Sequence, residues 1–168
     1  MPEILSTDVV FLHPGELFTT NAATRVKTVL GSCVAITMRA PRLGLSSIVH
    51  CQLPEAGAPL DLVARADAPR YVDAAIDLML RSFARRGAVL AELEIKLFGG
   101  ADSFRSEFGV GRRNIDTARS ALASRGLAVA ASVVGGEQGR VLQFDTVTGD
   151  VLLKTLPSRL GAPQAVRL

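Results

Sequence analysis

The sequence has no tryptophan, one tyrosine and an aromatic share of 5% over its 168 residues. That excludes the stacking platform on which many proteins hold single-stranded nucleic acid. Lysine occurs only at 27, 96 and 154, so of the 19 basic residues nearly all are arginine, and the formal net charge is +3. The arginines are scattered, with Arg85-Arg86 and Arg112-Arg113 the only adjacent pairs. A nucleic-acid binder gathers such charge into a stripe or run. The pattern fits a basic surface that steers acidic partners, or a solvated surface with no such role. No apolar run approaches the roughly 20 residues of a membrane span. The opening residues, Met1 to Asp8, lack the basic and apolar regions of a secretory signal. Only two cysteines occur, Cys33 and Cys51, and a cytoplasmic compartment keeps such a pair reduced. The expectation is a soluble, cytoplasmic protein.

The apolar share is 48% and the charged share 21%, which is a globular composition rather than a disordered or fibrous one. A chain of this length forms one domain and buries enough surface to need no disulfide or metal staple. Residues 9–13 read as a strand ended by Pro14-Gly15. Val26 to Met38 reads as two strand pieces joined by a bend at Gly31-Ser32-Cys33, and Ser46 to Leu53 as a strand stopped by Pro54. A loop over 55–66 precedes a helix from about Pro69 to Arg86, with Asp67 as N-cap and Gly87 as stop. Val72, Ala75, Ile76, Met79, Leu80 and Phe83 lie on its apolar face. Leu93, Ile95 and Leu97 alternate with charged residues as a half-buried strand closed by Gly99-Gly100. A second helix follows over Ile115–Ser124, capped by Asn114. Leu127–Val134 reads as a strand, and Val141–Thr146 with Asp150–Leu156 as a hairpin across Val147-Thr148-Gly149. The fold class is α+β (mixed α/β): a mixed sheet with two or three helices packed against it. The domain runs over 9–156, with an N-terminal extension over 1–8 and a flexible C-terminal tail over 157–168.

Chemistry has few places to sit. Cys33, in Thr28-Val-Leu-Gly-Ser-Cys-Val34, stands where a bend meets an apolar strand. Gly31 permits a sharp bend or a close backbone approach there, and backbone N–H groups around Ser32 could line an oxyanion site. The plain alternative is a small buried hydrophobe. His50 is the available base: within hydrogen-bond reach it would lower the thiol pKa and supply the thiolate. The plain alternative is a core histidine. His13, beside Pro14-Gly15, reads as a loop residue. Cys51 follows His50 on a strand, so the two side chains face opposite ways. A metal site from His13, Cys33, His50 and Cys51 matches no zinc spacing. The pairs Gly99-Gly100 and Gly135-Gly136 lack a dinucleotide-binding context and read as strand ends or close backbone approaches. Thr28 is placed to orient His50 by its hydroxyl or carbonyl. No metal and no cofactor is expected.

Leu30-Gly-Ser-Cys-Val34 followed by His50-Cys-Gln-Leu-Pro54 resembles the two active-site segments of the CheD family, the chemoreceptor glutamine deamidases. Lys96-Leu-Phe-Gly-Gly-Ala101, Phe104 and Gly109-Val-Gly-Arg-Arg-Asn114 resemble its central signature, and Gly135-Gly-Glu-Gln-Gly-Arg140 its C-terminal one. The resemblance implies a sheet sandwich with outer helices, like the cysteine-hydrolase fold of deamidating toxins. It implies hydrolysis of receptor glutamine side chains to glutamate in bacterial chemotaxis, with Cys33 as nucleophile, His50 as base and Thr28 orienting it. The partners implied are the chemoreceptor's cytoplasmic helices and a CheC-type phosphatase. A regulatory binding module with little catalysis, or a receptor methylesterase, are the alternatives. The chain departs from the family in two places: Leu45-Ser-Ser-Ile-Val leads into His50 where a glycine pair is common, and Val133-Val134 precede the C-terminal glycine pair where an acidic residue is common.

Overall fold

The computed structural model describes residues 8–102, 109–157 and 163–168. Phe104 of the central signature and most of the N-terminal extension lie outside the described residues. In chain order the elements are β1 (Asp8–Phe11), β2 (Leu17–Thr20), β3 (Thr24–Leu30), β4 (Val34–Ala40), β5 (Leu45–Cys51), α1 (Val72–Arg85), β6 (Glu94–Gly99), α2 (Val110–Ala123), β7 (Ala131–Val134), β8 (Arg140–Asp145), β9 (Val151–Thr155) and β10 (Ala165–Arg167).

The strands form two five-stranded mixed sheets, ordered β1-β3-β8-β9-β10 and β2-β5-β4-β6-β7. Neighbours run antiparallel except β1 with β3 and β6 with β7. Alternation of side chains along the strands creates two cores. Val26, Leu30, Leu142 and Phe144 of the first sheet meet Ala35, Ile48 and Phe98 of the second. The opposite face of the second sheet, through Val34, Ile36, Val49 and Cys51, packs on Ile76, Met79, Phe83, Ala118 and Leu122 of the helices. The molecule is therefore an α+β sandwich with its helices on one outer face, as the sequence implies. Because β4 is covered on both sides, it is almost uniformly buried.

Several elements differ from the sequence reading, each for a local reason. The two strand pieces within Val26–Met38 belong to different sheets, so the bend at 31–33 carries the chain across the sandwich. The first helix starts at Val72, not Pro69, and Asp67 makes no side-chain cap. Ala68–Arg70 is a separate 3-10 turn, and Tyr71 is extended because it bridges Leu53 in parallel. There the Arg70 carbonyl accepts from the Gln52 and Leu53 N–H groups at 2.8 and 3.1 Å. The second helix starts five residues before Ile115, after Gly109 in the left-handed region. The Asp102 carboxylate, not Asn114, receives its first N–H groups, from Gly111 at 2.9 Å and Arg112 at 3.1 Å. Leu127 to Ala130 precede β7 rather than joining it. Within the stretch read as a loose tail, Ala165–Arg167 pairs with β9 as an edge strand. The edge strand β2, short and half-buried, carries no pattern the sequence reading used.

Candidate active site

The strand register places the predicted site residues. Ala35 of β4 stands opposite His50 of β5, and both face the space between the sheets, as do Ile48 and Ala35 in the core there. Cys33, two residues before Ala35, packs against the same core. In the register it is thus the diagonal neighbour of His50, at the same end of the two strands. Cys51, one residue on, points into the helix-side core and is fully buried, and burial pushes its thiol far up. His13 is exposed in the turn after β1, its ring centroid 5.0 Å from that of Phe11. The four residues of the metal arrangement weighed above therefore do not converge.

Thr28 reaches across the sandwich from β3. Its Oγ1 lies 2.7 Å from the Leu12 carbonyl oxygen and 2.7 Å from His50 Nδ1, with Thr28 and His50 both buried. A hydroxyl has one hydrogen. The Leu12 carbonyl can only accept, so that hydrogen goes to Leu12 and Oγ1 accepts from His50 Nδ1–H. The proton on Nδ1 leaves Nε2 with its lone pair, and Nε2 makes no hydrogen bond to any described residue. Burial pushes the imidazole pKa down to about 4, the Glu16 carboxylate offsetting and His13 adding to the depression. At neutral pH His50 is a neutral base with a single free nitrogen, held from behind.

The bend carrying Cys33 is pinned through its carbonyls. Gly31 O accepts from Ala101 N–H at 2.9 Å, Ser32 O from Asn114 Nδ2 at 2.9 Å, and Cys33 O from Gly100 N–H at 2.9 Å. Among the described residues, the Ser32 and Cys33 N–H groups donate to no backbone or side-chain oxygen. The Cys33 N–H lies against its own thiol and lowers its pKa somewhat, but burial has the larger effect and leaves that pKa raised. The resting thiol is therefore protonated, which differs from the sequence expectation of a thiolate supplied by a hydrogen-bonded imidazole.

The close approach behind the bend is made by Gly99 and Gly100, at φ +100° and +67°. A Cβ on Gly99 would stand 2.4 Å from Cys33 O, and one on Gly100 2.4 Å from Ile115 Cγ1. Gly31 lies in the bend expected of it, but outside the left-handed region, and a Cβ there would meet nothing within 4 Å, so it makes no close backbone approach. Arg140 anchors the strap from below, donating to Gly135 O at 2.6 Å and Gly99 O at 3.3 Å. Asn114, read from sequence as a cap, is the residue whose role was missed: fully buried, it also donates to Gln52 O at 3.2 Å, tying the Cys33 bend to the segment after His50. A polar residue on the inward face of a helix was the available signal.

A family model described as CheD chemotactic sensory transduction matches residues 53–155. A probable chemoreceptor glutamine deamidase CheD 2 of Geobacter sulfurreducens is 47% identical over 150 residues, covering 88% of this chain and 89% of that protein. The chain belongs to the CheD family. A probable chemoreceptor glutamine deamidase CheD of Maridesulfovibrio salexigens is 41% identical over 159 residues, covering 90% of this chain and 94% of the relative. One from Natronomonas pharaonis is 37% identical over 126 residues, 73% of each chain. The family model begins after His50, but the first relative leaves only 12% of this chain unmatched, so residues 28–50 fall inside that match wherever its ends lie. The segments that resemble CheD motifs converge in space: the Cys33 bend, the His50 strand, the Gly99-Gly100 strap, Asn114 and Arg140 all meet at one end of the sandwich.

Proposed function

We propose that this chain is a cysteine-dependent hydrolase that converts specific glutamine side chains of bacterial chemoreceptors to glutamate, releasing ammonia. The reading extends to this chain what its relatives' names say of them, and cytoplasmic chemotaxis adaptation is the setting it implies. The observation that carries the mechanism is the pair of hydrogen bonds on Thr28 Oγ1, which supports one His50 tautomer and leaves Nε2 a buried, unpartnered nitrogen on the strand next to the one Cys33 leads into.

The steps follow from that arrangement. Because the resting thiol and imidazole are both neutral, the Sγ proton passes to His50 Nε2 as sulfur attacks the glutamine side-chain carbonyl carbon. The oxygen of the tetrahedral intermediate takes its negative charge toward the free N–H groups of Ser32 and Cys33. His50 returns the proton to the departing nitrogen, ammonia leaves, and a Cys33 thioester remains. His50 then removes a proton from water, hydroxide attacks the thioester, and as the carbon–sulfur bond breaks His50 returns that proton to Sγ, releasing glutamate and restoring the thiol. Each cycle consumes one water and yields one ammonia.

The same acyl chemistry with methanol as leaving group gives a methylesterase, and a binding module for receptor or a CheC-type phosphatase needs no turnover. Incubating the protein with amidated and with methylated forms of a chemoreceptor cytoplasmic fragment separates them. Ammonia release dependent on Cys33 supports the deamidase, methanol without ammonia the esterase, and neither product with retained binding the adaptor.

A further inference from the structure

Away from Cys33, a cleft of about 430 Å³ opens between the β1–β2 connection and α1. Leu12, Leu17, Phe18, Pro69 and Leu78 give it an apolar floor. A second cleft of about 220 Å³ continues it and shares Arg65, Leu78 and Arg85 with it. Leu78, Ser82 and Arg85 lie at helical spacing on one stripe of α1, so the groove runs along that helix. The two arginines stand where the clefts join. Both are exposed, and neither makes an ion pair or side-chain hydrogen bond with any described residue, whereas nearby Arg81 is paired with Asp61. Two carboxylates line the joined clefts, and both are engaged: Glu16 accepts from His13 N–H at 2.8 Å, and Asp61 is paired with Arg81. An apolar trough with two uncompensated guanidinium groups is complementary to a segment carrying a large apolar side chain flanked by carboxylates.

The groove's position relates it to catalysis. Its wall includes Gly15 and Glu16, whose backbones bracket His50: Gly15 N–H donates to His50 O at 2.8 Å, and His50 N–H to Glu16 O at 3.0 Å. Leu12, on the floor, holds the Thr28 hydroxyl. None of Gly31, Ser32 or Cys33 lines it. An occupant therefore lies one strand away from the reacting centre without touching it.

We propose that this groove is an exosite for the protein substrate: it holds an acidic amphipathic segment of the chemoreceptor beside the target glutamine, with carboxylates on Arg65 and Arg85. This rests on the reading under Proposed function. Binding there contributes equally to ground state and transition state, so it sets KM and leaves kcat alone.

The test is the Arg65→Glu/Arg85→Glu double variant in the full chain. Deamidation of a chemoreceptor cytoplasmic fragment should show KM raised roughly 10- to 100-fold, since each exposed pair is not only lost but turned repulsive. The kcat and the rate of Cys33 alkylation by iodoacetamide should be unchanged. The wild-type KM should rise with salt more steeply than the variant's. In parallel, binding of the same fragment is measured by fluorescence anisotropy on a Cys33→Ala background, with and without the two reversals. Binding weakened by the reversals supports the exosite even if the wild type releases no ammonia, in which case the deamidase reading alone fails. Binding that the reversals leave unchanged, or a fragment that the Cys33→Ala protein does not bind at all, overturns the exosite whatever the activity.

Discussion

Replacing Thr28 with valine keeps the shape of the side chain and removes both of its hydrogen bonds. Leu12 O and His50 Nδ1–H, each bonded to Thr28 Oγ1 at 2.7 Å, are then left unpaired in the buried interior. An unsatisfied buried group costs about 1–3 kcal/mol, so with two of them the urea midpoint should fall by the equivalent of about 2–6 kcal/mol. Catalysis should suffer separately. With no acceptor behind Nδ1, nothing selects the tautomer whose Nε2 is free, and the ring can turn. A loss of about 1.4–2.7 kcal/mol in the chemical step corresponds to about 10- to 100-fold in kcat. KM should stay near the wild-type value, because Thr28 is fully buried and touches no substrate. Thr28→Ser retains the hydroxyl and gives up one methyl, about 0.8 kcal/mol of burial, and should keep kcat within a few-fold. The assay is steady-state deamidation of a receptor fragment alongside urea unfolding. A valine variant that is destabilised but turns over at the wild-type kcat would refute the tautomer argument, as would a serine variant as slow as the valine one.

Acid should destabilise the fold through His50: its folded pKa near 4 lies below the ordinary value of 6.5, so the unfolded chain binds the proton first. The associated stability is fully present above pH 6.5 and is lost as pH falls toward 4, by up to about 3 kcal/mol; urea midpoints across that range should show the slope, and His50→Gln should flatten it. Gly100→Ala drives a Cβ to 2.4 Å from Ile115 Cγ1 at a φ of +67°, and should lower Tm and activity together, whereas Gly31→Ala meets nothing within 4 Å and should leave Tm unchanged. Asn114→Leu strips the donor from Ser32 O and Gln52 O and should slow deamidation at least 10-fold, with slower alkylation of Cys33 checking that the bend has moved. Iodoacetamide should modify Cys33 alone in the native protein, increasingly as pH rises because its thiol pKa is raised, and Cys51 only after unfolding; peptide mapping reads both.

Much of the scaffold was legible because its periodicities are local. The alternation of Leu93, Ile95 and Leu97 and the apolar stripe from Val72 to Phe83 need no tertiary knowledge to read. What could not be read depends on distant pairing. Tyr71 is extended because of Leu53, the second helix starts early because Asp102 reaches its N–H groups, and β10 exists because β9 offers a free edge. The site divides the same way. Alternation on one strand was enough to separate the directions of His50 and Cys51. The direction of the Thr28 hydrogen bond depends on Leu12, sixteen residues upstream on another part of the chain, and no spacing rule contains it. Asn114 looked like a cap because asparagine favours caps, and only the fold shows it buried beneath Ser32. Gly31 supplies the bend its sequence context suggests, while the close backbone approach is made by Gly99 and Gly100.

In the proposed mechanism Cys33 attacks a receptor glutamine with His50 Nε2 as its base. The most direct measurement is peptide-mapping mass spectrometry of a chemoreceptor cytoplasmic fragment after incubation with wild type, Cys33→Ala and His50→Ala. Wild type should convert specific glutamines from amide to acid, Cys33→Ala none, and His50→Ala at most a trace, with all three proteins folded. Conversion that persists in folded Cys33→Ala would contradict that mechanism.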